Sequence, residues 1–220
     1  MKNDRFPERD SDIDQLIPGW SGLLKQWRAI VAHEAWANTE DCSWWYGERA
    51  SVSQLAGAAW KKGWAIQEYA GTRGAEGRAR IDLAVEVPAY GLRSVVEAKQ
   101  IWPWLGSSHA FEDIEQGLQE ATEQLIGGGD TSIARHDEYD HVAVVFVTPR
   151  ARSATGADEI QSLIDTLCSV PRTVACWSFP DWASSLTSPT TQLVYPGIGL
   201  VARLVRRAAV QRARSRNGRK

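Results

Sequence analysis

The sequence contains no run of about 18 apolar residues, so it predicts no transmembrane helix and no membrane partner. Its opening stretch, MKNDRFPERDSDID, is charged and lacks the apolar core of a secretory leader. It has only three cysteines, Cys42, Cys168 and Cys176, and their spacing matches no zinc motif. An odd, sparse set of thiols without a leader predicts reduced cysteines in a cytoplasmic protein rather than a disulfide framework. The four histidines, His33, His109, His136 and His141, are scattered without ligand spacing, which predicts neither a zinc site nor a histidine-based nuclease motif. The glycines of GTRGAEG and GGGD fit no phosphate-binding loop. There is no internal repeat and no long low-complexity segment.

What is present is an ordinary globular composition, 43% hydrophobic over 220 residues, enough for one well-packed domain with an appendage. The net charge of −2 hides a split. Residues 203–220 carry seven Arg, one Lys and no acid, which leaves 17 basic against 27 acidic groups in the other 202 residues. An acidic body with a basic tail suggests an anionic partner met through residues such as Arg206 and Arg207; the alternative is a solvated terminus.

Residues 1–18 read as a loose polar segment. Leu23, Leu24, Trp27, Ile30 and Val31 recur at helical spacing, with Asn38 as a stop. A second helix is predicted over 45–62, with Gly63 as its left-handed cap. The period then changes: strands are predicted over 64–70, 78–87 and 94–101, the last two joined by a turn at Pro88 and Gly91. Phe111, Ile114, Leu118, Ala121 and Leu125 form a helical stripe. HVAVVFVT (141–148) is the continuous apolar run of a buried central strand. Thr155 and Asp158 resemble a capping box for a helix through Leu167, and a strand follows over 173–179. The last segment reads as an edge strand over 191–195 and a short basic helix over 201–212. The fold class is therefore α/β, a mixed sheet flanked by helices, with an N-terminal helix and a basic C-terminal tail.

One hairpin is unusual. RIDLAVEVPAYGLRSVVEAKQ (80–100) places Asp82 amid Ile, Leu and Val on one strand and ends the next in Glu97-Ala98-Lys99. Side chains on a strand alternate, so Glu97 and Lys99 share a face, about 6.5–7 Å apart. The short turn makes the two strands antiparallel neighbours and allows Asp82 to approach Glu97. Two converging carboxylates suit a hard cation such as Mg²⁺, with Mn²⁺ able to substitute and the Ala98 carbonyl as a third ligand. Lys99 is placed to hold a nucleophilic water. The competing reading is an ordinary cross-strand ion pair on a half-exposed sheet.

The order helix, three strands, helix, strand, with an acid on the second strand and Glu-x-Lys on the third, resembles the PD-(D/E)xK nuclease superfamily with its restriction-endonuclease-like core. The resemblance covers roughly residues 44–148. It departs from the motif where Ile81, rather than Pro, precedes Asp82. It divides the chain into an N-terminal polar segment and accessory helix (1–43), a nuclease-like core (44–182) and a C-terminal edge segment with the basic tail (183–220). It implies catalysis by Asp82, Glu97 and Lys99. A further acid would come from the first core helix, with Glu48 the candidate and Glu86 its rival.

Around this motif, Arg78 and Arg80 crowd the entrance to the Asp82 strand, as phosphate contacts or as solvated charge. Trp102 and Trp104 follow Lys99 directly, as base-stacking groups or as rim packing. The expectation is a Mg²⁺-dependent endonuclease on nucleic acid, DNA rather than RNA, with restriction or anti-phage defence suggested by analogy alone. A homodimer or a partner protein is compatible with it. The alternatives are a non-catalytic member of the same fold that binds nucleic acid or protein, and an unrelated α/β interaction module.

Overall fold

The apolar run after Asp140 becomes the middle of a sheet. A computed structural model of the chain describes residues 10–37, 41–70, 80–127 and 138–207. The elements run α1 (Asp10–Leu16), α2 (Trp20–Ala37), α3 (Glu48–Trp60), β1 (Trp64–Ala70), β2 (Arg80–Val87), β3 (Leu92–Ile101), α4 (Ala110–Gly127), β4 (Asp140–Val147), α5 (Ala157–Ser169), β5 (Val174–Ser178) and β6 (Ile198–Arg206). The six strands form one mixed sheet in the order β1-β2-β3-β4-β6-β5. β1, β2 and β3 are an antiparallel meander. α4 carries the chain across to β4, which lies parallel to β3, and β6 inserts antiparallel between β4 and β5.

Period two along β4 divides its side chains between two apolar layers. Val142, Val144 and Phe146 join Trp20, Leu24, Trp27 and Leu55 from α2 and α3. Ala143, Val145 and Val147 join Ile114, Leu118, Ile160 and Leu167 from α4 and α5. With helices on both faces, every residue of β4 is buried, which is why its sequence does not alternate with polar residues. At about 1.5–3 kcal/mol for each fully buried aliphatic side chain, these two layers are the main stabilising term. Gly117 lets α4 approach the sheet closely, since a Cβ there would lie 3.0 Å from Val145 Cγ2.

Several sequence expectations need correction. Where a basic helix was expected over 201–212, residues 201–206 are the second half of β6, whose first five residues are buried, and residues 208–212 lie outside the described residues. Arg203 is part of that strand and pairs with Glu115 at 2.7 Å. Residues 191–195 form no strand, only isolated bridges through Val194. The polar N-terminal segment contains α1, whose exit is pinned by Ile13 and Ile17, both buried. Phe111 leaves the α4 stripe and is 37% exposed, its place on the buried face taken by Ala110. Gly63 does not adopt a left-handed conformation; it is required because a Cβ would collide with the Glu86 carbonyl. α5 is capped by Gly156, whose amide donates to Glu159 Oε2 at 3.0 Å, while the Thr155 hydroxyl turns to the Ser184 carbonyl. The β2–β3 turn is as expected, with Gly91 left-handed at φ 64° after a 3-10 turn Pro88–Tyr90.

Candidate active site

The β2–β3 ladder runs from Val87–Leu92 to Leu83–Val96 and stops there, although β2 continues to pair with β1 as far as Arg80–Ala70. Beyond Val96 the β2-side edge of β3 therefore lacks its ladder partners. Asp82 fills the gap: the Ala98 amide donates to Asp82 Oδ2 at 2.8 Å. One pleat further on, the Gln100 amide is hydrogen-bonded to the Glu48 carboxylate, at the N-terminal end of α3. The Asp82 amide in turn donates to the Glu97 carboxylate. In an extended strand the N–H and C=O of one residue leave on the same side, so the Ala98 carbonyl also faces this gap.

Lys99 lies on the other side of the cluster. Its Nζ donates to Gln124 Oε1 of α4 at 2.7 Å and stands 3.7 Å from Glu97 Oε1. Glu48, Asp82, Glu97 and Lys99 thus gather at one place, from the start of α3, the first residues of β2 and the last of β3. Glu48 and Asp82 line a cleft of about 460 Å³ together with Arg49, Val52, Gln67 and Glu68. Glu97 is buried behind them, 8% exposed. Strand parity foresaw the clustering, but Asp82 reaches it through the strand gap rather than across a continuous sheet face.

Three carboxylates around one ammonium repel one another. Burial, followed by the nearby Asp82 charge, pushes Glu97 up to about 7, against the partial relief given by Lys99. Burial also raises Asp82, opposed by the Ala98 amide and by Lys99. Glu48 is raised too, by burial first, with Lys99 opposing and Asp82 adding. Glu86, the rival fourth acid, is elsewhere: it pairs with Arg93 at 2.8 Å at the turn end of the hairpin.

Gln100 follows Lys99 on β3, so strand parity turns its side chain away from the carboxylates. It is a structural pin. Its Nε2 donates to the Trp44 carbonyl at 2.8 Å and to Thr148 Oγ1 at 3.0 Å, and Ser51 Oγ donates to its Oε1 at 2.9 Å. These bonds tie β3 to α3, to the residues before it and to the end of β4, and so fix where Glu48 meets the Gln100 amide. Gln100→Leu leaves the buried Ser51 hydroxyl without its acceptor, at a cost of about 1–3 kcal/mol. Chemical denaturation of the variant should show a loss in that range; an unchanged midpoint would mean the network bears no load.

Gln124 and Ser51 also escaped the sequence argument. Gln124 sits on α4 among residues with no distinguishing pattern, and Ser51 is one small residue in an alanine-rich helix. Arg78 and the Arg80 side chain lie outside the described residues. Arg206 and Arg207 are exposed, at the end of β6 that pairs with His141. Glu97 pairs with Ala143 and Ile101 with Val147, so these arginines lie towards the opposite end of the sheet from Trp102. Trp102 and Trp104 are 38% and 40% exposed just beyond β3.

Among the described residues no group of three or more His, Cys, Asp or Glu forms a ready-made metal cage. Mg²⁺ does not ask for one, because it keeps several waters and is bound through one or two carboxylates plus substrate phosphates. The donor set fits: the Asp82 and Glu97 carboxylates offer hard oxygens, and burial raises both, with mutual repulsion adding at Glu97, which a divalent cation would relieve. Comparison of the chain with protein-family models, with curated proteins and with solved structures gives no match.

Proposed function

We propose that this protein is a metal-dependent nuclease with a restriction-endonuclease-like core, hydrolysing phosphodiester bonds in DNA. The observation that carries the proposal is the meeting of Asp82, Glu97 and Lys99 at the splayed edge of β3. An ordinary cross-strand ion pair accounts for one carboxylate beside Lys99; it does not account for three acids around one ammonium, two of them held by freed β3 amides.

Asp82 and Glu97 would hold Mg²⁺ or Mn²⁺, with the Ala98 carbonyl beside them. When bound, the metal supplies a Lewis acid to a phosphoryl oxygen. Lys99 carries three donors, of which Gln124 takes one; another orients the attacking water or meets the phosphate oxygen. Glu48 holds the edge of the site through the Gln100 amide and adds a further anionic oxygen.

The test is direct. Cleavage of single-stranded DNA, duplex DNA and RNA is assayed with Mg²⁺, with Mn²⁺ and with EDTA. Metal-dependent cutting that EDTA abolishes is expected, with DNA the better substrate. No cleavage of any of the three with either metal sinks the nuclease reading.

The basic terminus gives a separate expectation. Because β6 reaches Arg206, a truncation that spares the fold must begin after Arg207. If the tail neutralises phosphates, removing it flattens the dependence of log affinity on log salt, by about 0.9 for each duplex phosphate it had neutralised. An unchanged salt slope assigns the tail to some other partner or to solvent.

A further inference from the structure

β3 and β4 do not part where their strands end. The Thr148 amide donates to the Ile101 carbonyl at 3.0 Å, the Arg150 amide to Pro103 at 3.0 Å and the Leu105 amide to Arg150 at 2.9 Å. Trp104 and Arg150 are therefore partners in a parallel bridge, and Ala151 exchanges two further backbone bonds with Val194. Pro103 and Pro149 are buried beneath this extension. The surface above it is thus carried on paired backbone, not on a loop tip.

That surface has an unusual composition. The Arg150 guanidinium carbon lies 4.6 Å from the centre of the Trp104 ring, and that of Arg152 lies 5.5 Å from it. Arg150 Nε is buried and has no hydrogen-bond partner among the described residues. Two residues before Trp104, and so on the same side of the chain, Trp102 lines a cleft of about 360 Å³ with Arg150, Gln116, Asp113, Glu120 and Gln100. One exposed tryptophan needs no explanation. Two at alternate positions on a paired backbone, one of them stacked with arginines, do. Gln100 also lines the cleft, and its amide is bonded to Glu48. At about 3.3 Å per residue, Trp102 lies about 10 Å from Lys99 along the chain.

We propose that Trp102, Trp104, Arg150 and Arg152 form a platform for an unpaired nucleotide strand leading into the carboxylate site. The proposal rests on the nucleic-acid reading above and narrows it to single-stranded or locally opened substrate. The bases of a duplex have their ring faces covered by their neighbours, whereas an unpaired base offers a face to an indole. A guanidinium packed on an indole is held in plane and presents its N–H edge to a phosphate. Asp113 and Glu120 on the α4 wall repel phosphates, which directs the backbone to the arginine side and the base into the cleft. There the two carboxylates accept hydrogen bonds from the amino or ring N–H groups that every unpaired base carries.

The experiment measures fluorescence anisotropy of labelled single-stranded and duplex oligonucleotides of one sequence, in EDTA so that nothing is cut. The proteins are the full chain, Trp104→Ala, Trp104→Phe and the double variant Arg150→Gln/Arg152→Gln, each checked for parental circular dichroism. Trp104→Ala is expected to weaken single-strand binding roughly 5- to 150-fold, the worth of one base–aromatic stack, with a much smaller effect on duplex. Trp104→Phe should restore most of the loss. The double arginine variant should lower the salt dependence of single-strand binding. Equal losses on duplex and single strand, or parental single-strand binding by Trp104→Ala, overturn the platform. If Trp104→Ala misfolds, Trp104→Phe and the arginine variant decide alone: duplex and single strand affected alike overturns it. Cleavage is assayed separately with Mg²⁺. Selective loss of single-strand binding by a protein that never cuts removes the nuclease and keeps the platform. Cutting by a protein whose binding ignores Trp104 does the reverse.

Discussion

Lys99→Ala is expected to slow DNA cleavage by about 10²- to 10⁴-fold at saturating Mg²⁺, the usual worth of one positioned proton-transfer group. That is about 2.7–5.4 kcal/mol of transition-state stabilisation at 1.36 kcal/mol per decade. Among the described residues its ammonium is the cation that acts on all of Glu48, Asp82 and Glu97. It stands 3.7 Å from Glu97 Oε1 and is bonded to Gln124 at 2.7 Å. Removing it takes away the donor that would orient water. It also deprives Glu97 of the charge that partly offsets its burial, so Mg²⁺ must be titrated for each variant. Affinity for oligonucleotide in EDTA should stay close to parental, because the phosphate and base contacts proposed at Trp104, Arg150 and Arg152 lie elsewhere. Asp82→Ala gives a different signature: calorimetry should show no Mg²⁺ uptake, and excess metal should not rescue cutting. A Lys99→Ala protein that cuts at the parental rate shows that Lys99 has been given the wrong role.

The placement of these groups was legible because it depends on two short-range rules. Period two put Glu97 and Lys99 together, and a turn closed by Gly91 put Asp82 beside them. Neither rule reveals that the β2–β3 ladder ends at Leu83–Val96, yet that ending frees the amides of Ala98 and Gln100 for Asp82 and Glu48. A strand end of this kind is a tertiary result, set by β2 staying with β1 while β3 stays with β4.

β6 was hidden for a related reason. Val201, Leu204 and Val205 sit at helical spacing between Arg203, Arg206 and Arg207, and a short apolar run of this kind does not distinguish helix from strand. Its neighbours β4 and β5 decide, since Val201 and Ala202 are needed to cover opposite faces of the sheet. α4 and α5 were easier, because a stripe such as Ile114, Leu118, Ala121 and Leu125 extends over several turns. Gln100 lies between: its direction followed from parity, but its partners Ser51, Trp44 and Thr148 are 48 to 56 residues away in sequence.

The metal-free protein is expected to lose stability as pH rises towards neutrality, and Glu97→Gln is expected to remove much of that loss. Glu97 titrates at about 7 in the fold against an ordinary value of 4.5, because burial and then the Asp82 charge disfavour its ionised form. Between those two pH values the folded chain holds a proton that the unfolded chain has released. The stabilising contribution is therefore complete below about pH 4.5 and is lost as pH rises to about 7, at up to about 1.4 kcal/mol per pH unit. Across the window this amounts to about 3 kcal/mol, or roughly 6–12 °C in melting temperature for a chain of this size. The groups facing Glu97 do not reverse the sign. Glu48 from α3 and Asp82 from β2 are raised as well, and Glu68 of β1 pushes Asp82 further in the same direction. Lys99 opposes, but its effect is already contained in the raised value. A glutamine at 97 keeps an oxygen to accept from the Asp82 amide and has no proton to lose, so the comparison isolates the titration. Melting of both proteins is followed in EDTA from pH 5 to pH 8. The parent should melt lower at each step up to about pH 7 and then level off, while Glu97→Gln stays flatter, so the gap between them should widen in favour of the variant over that range. Parallel curves for the two proteins would show that Glu97 is not the buried, repelled carboxylate on which the proposed metal site depends.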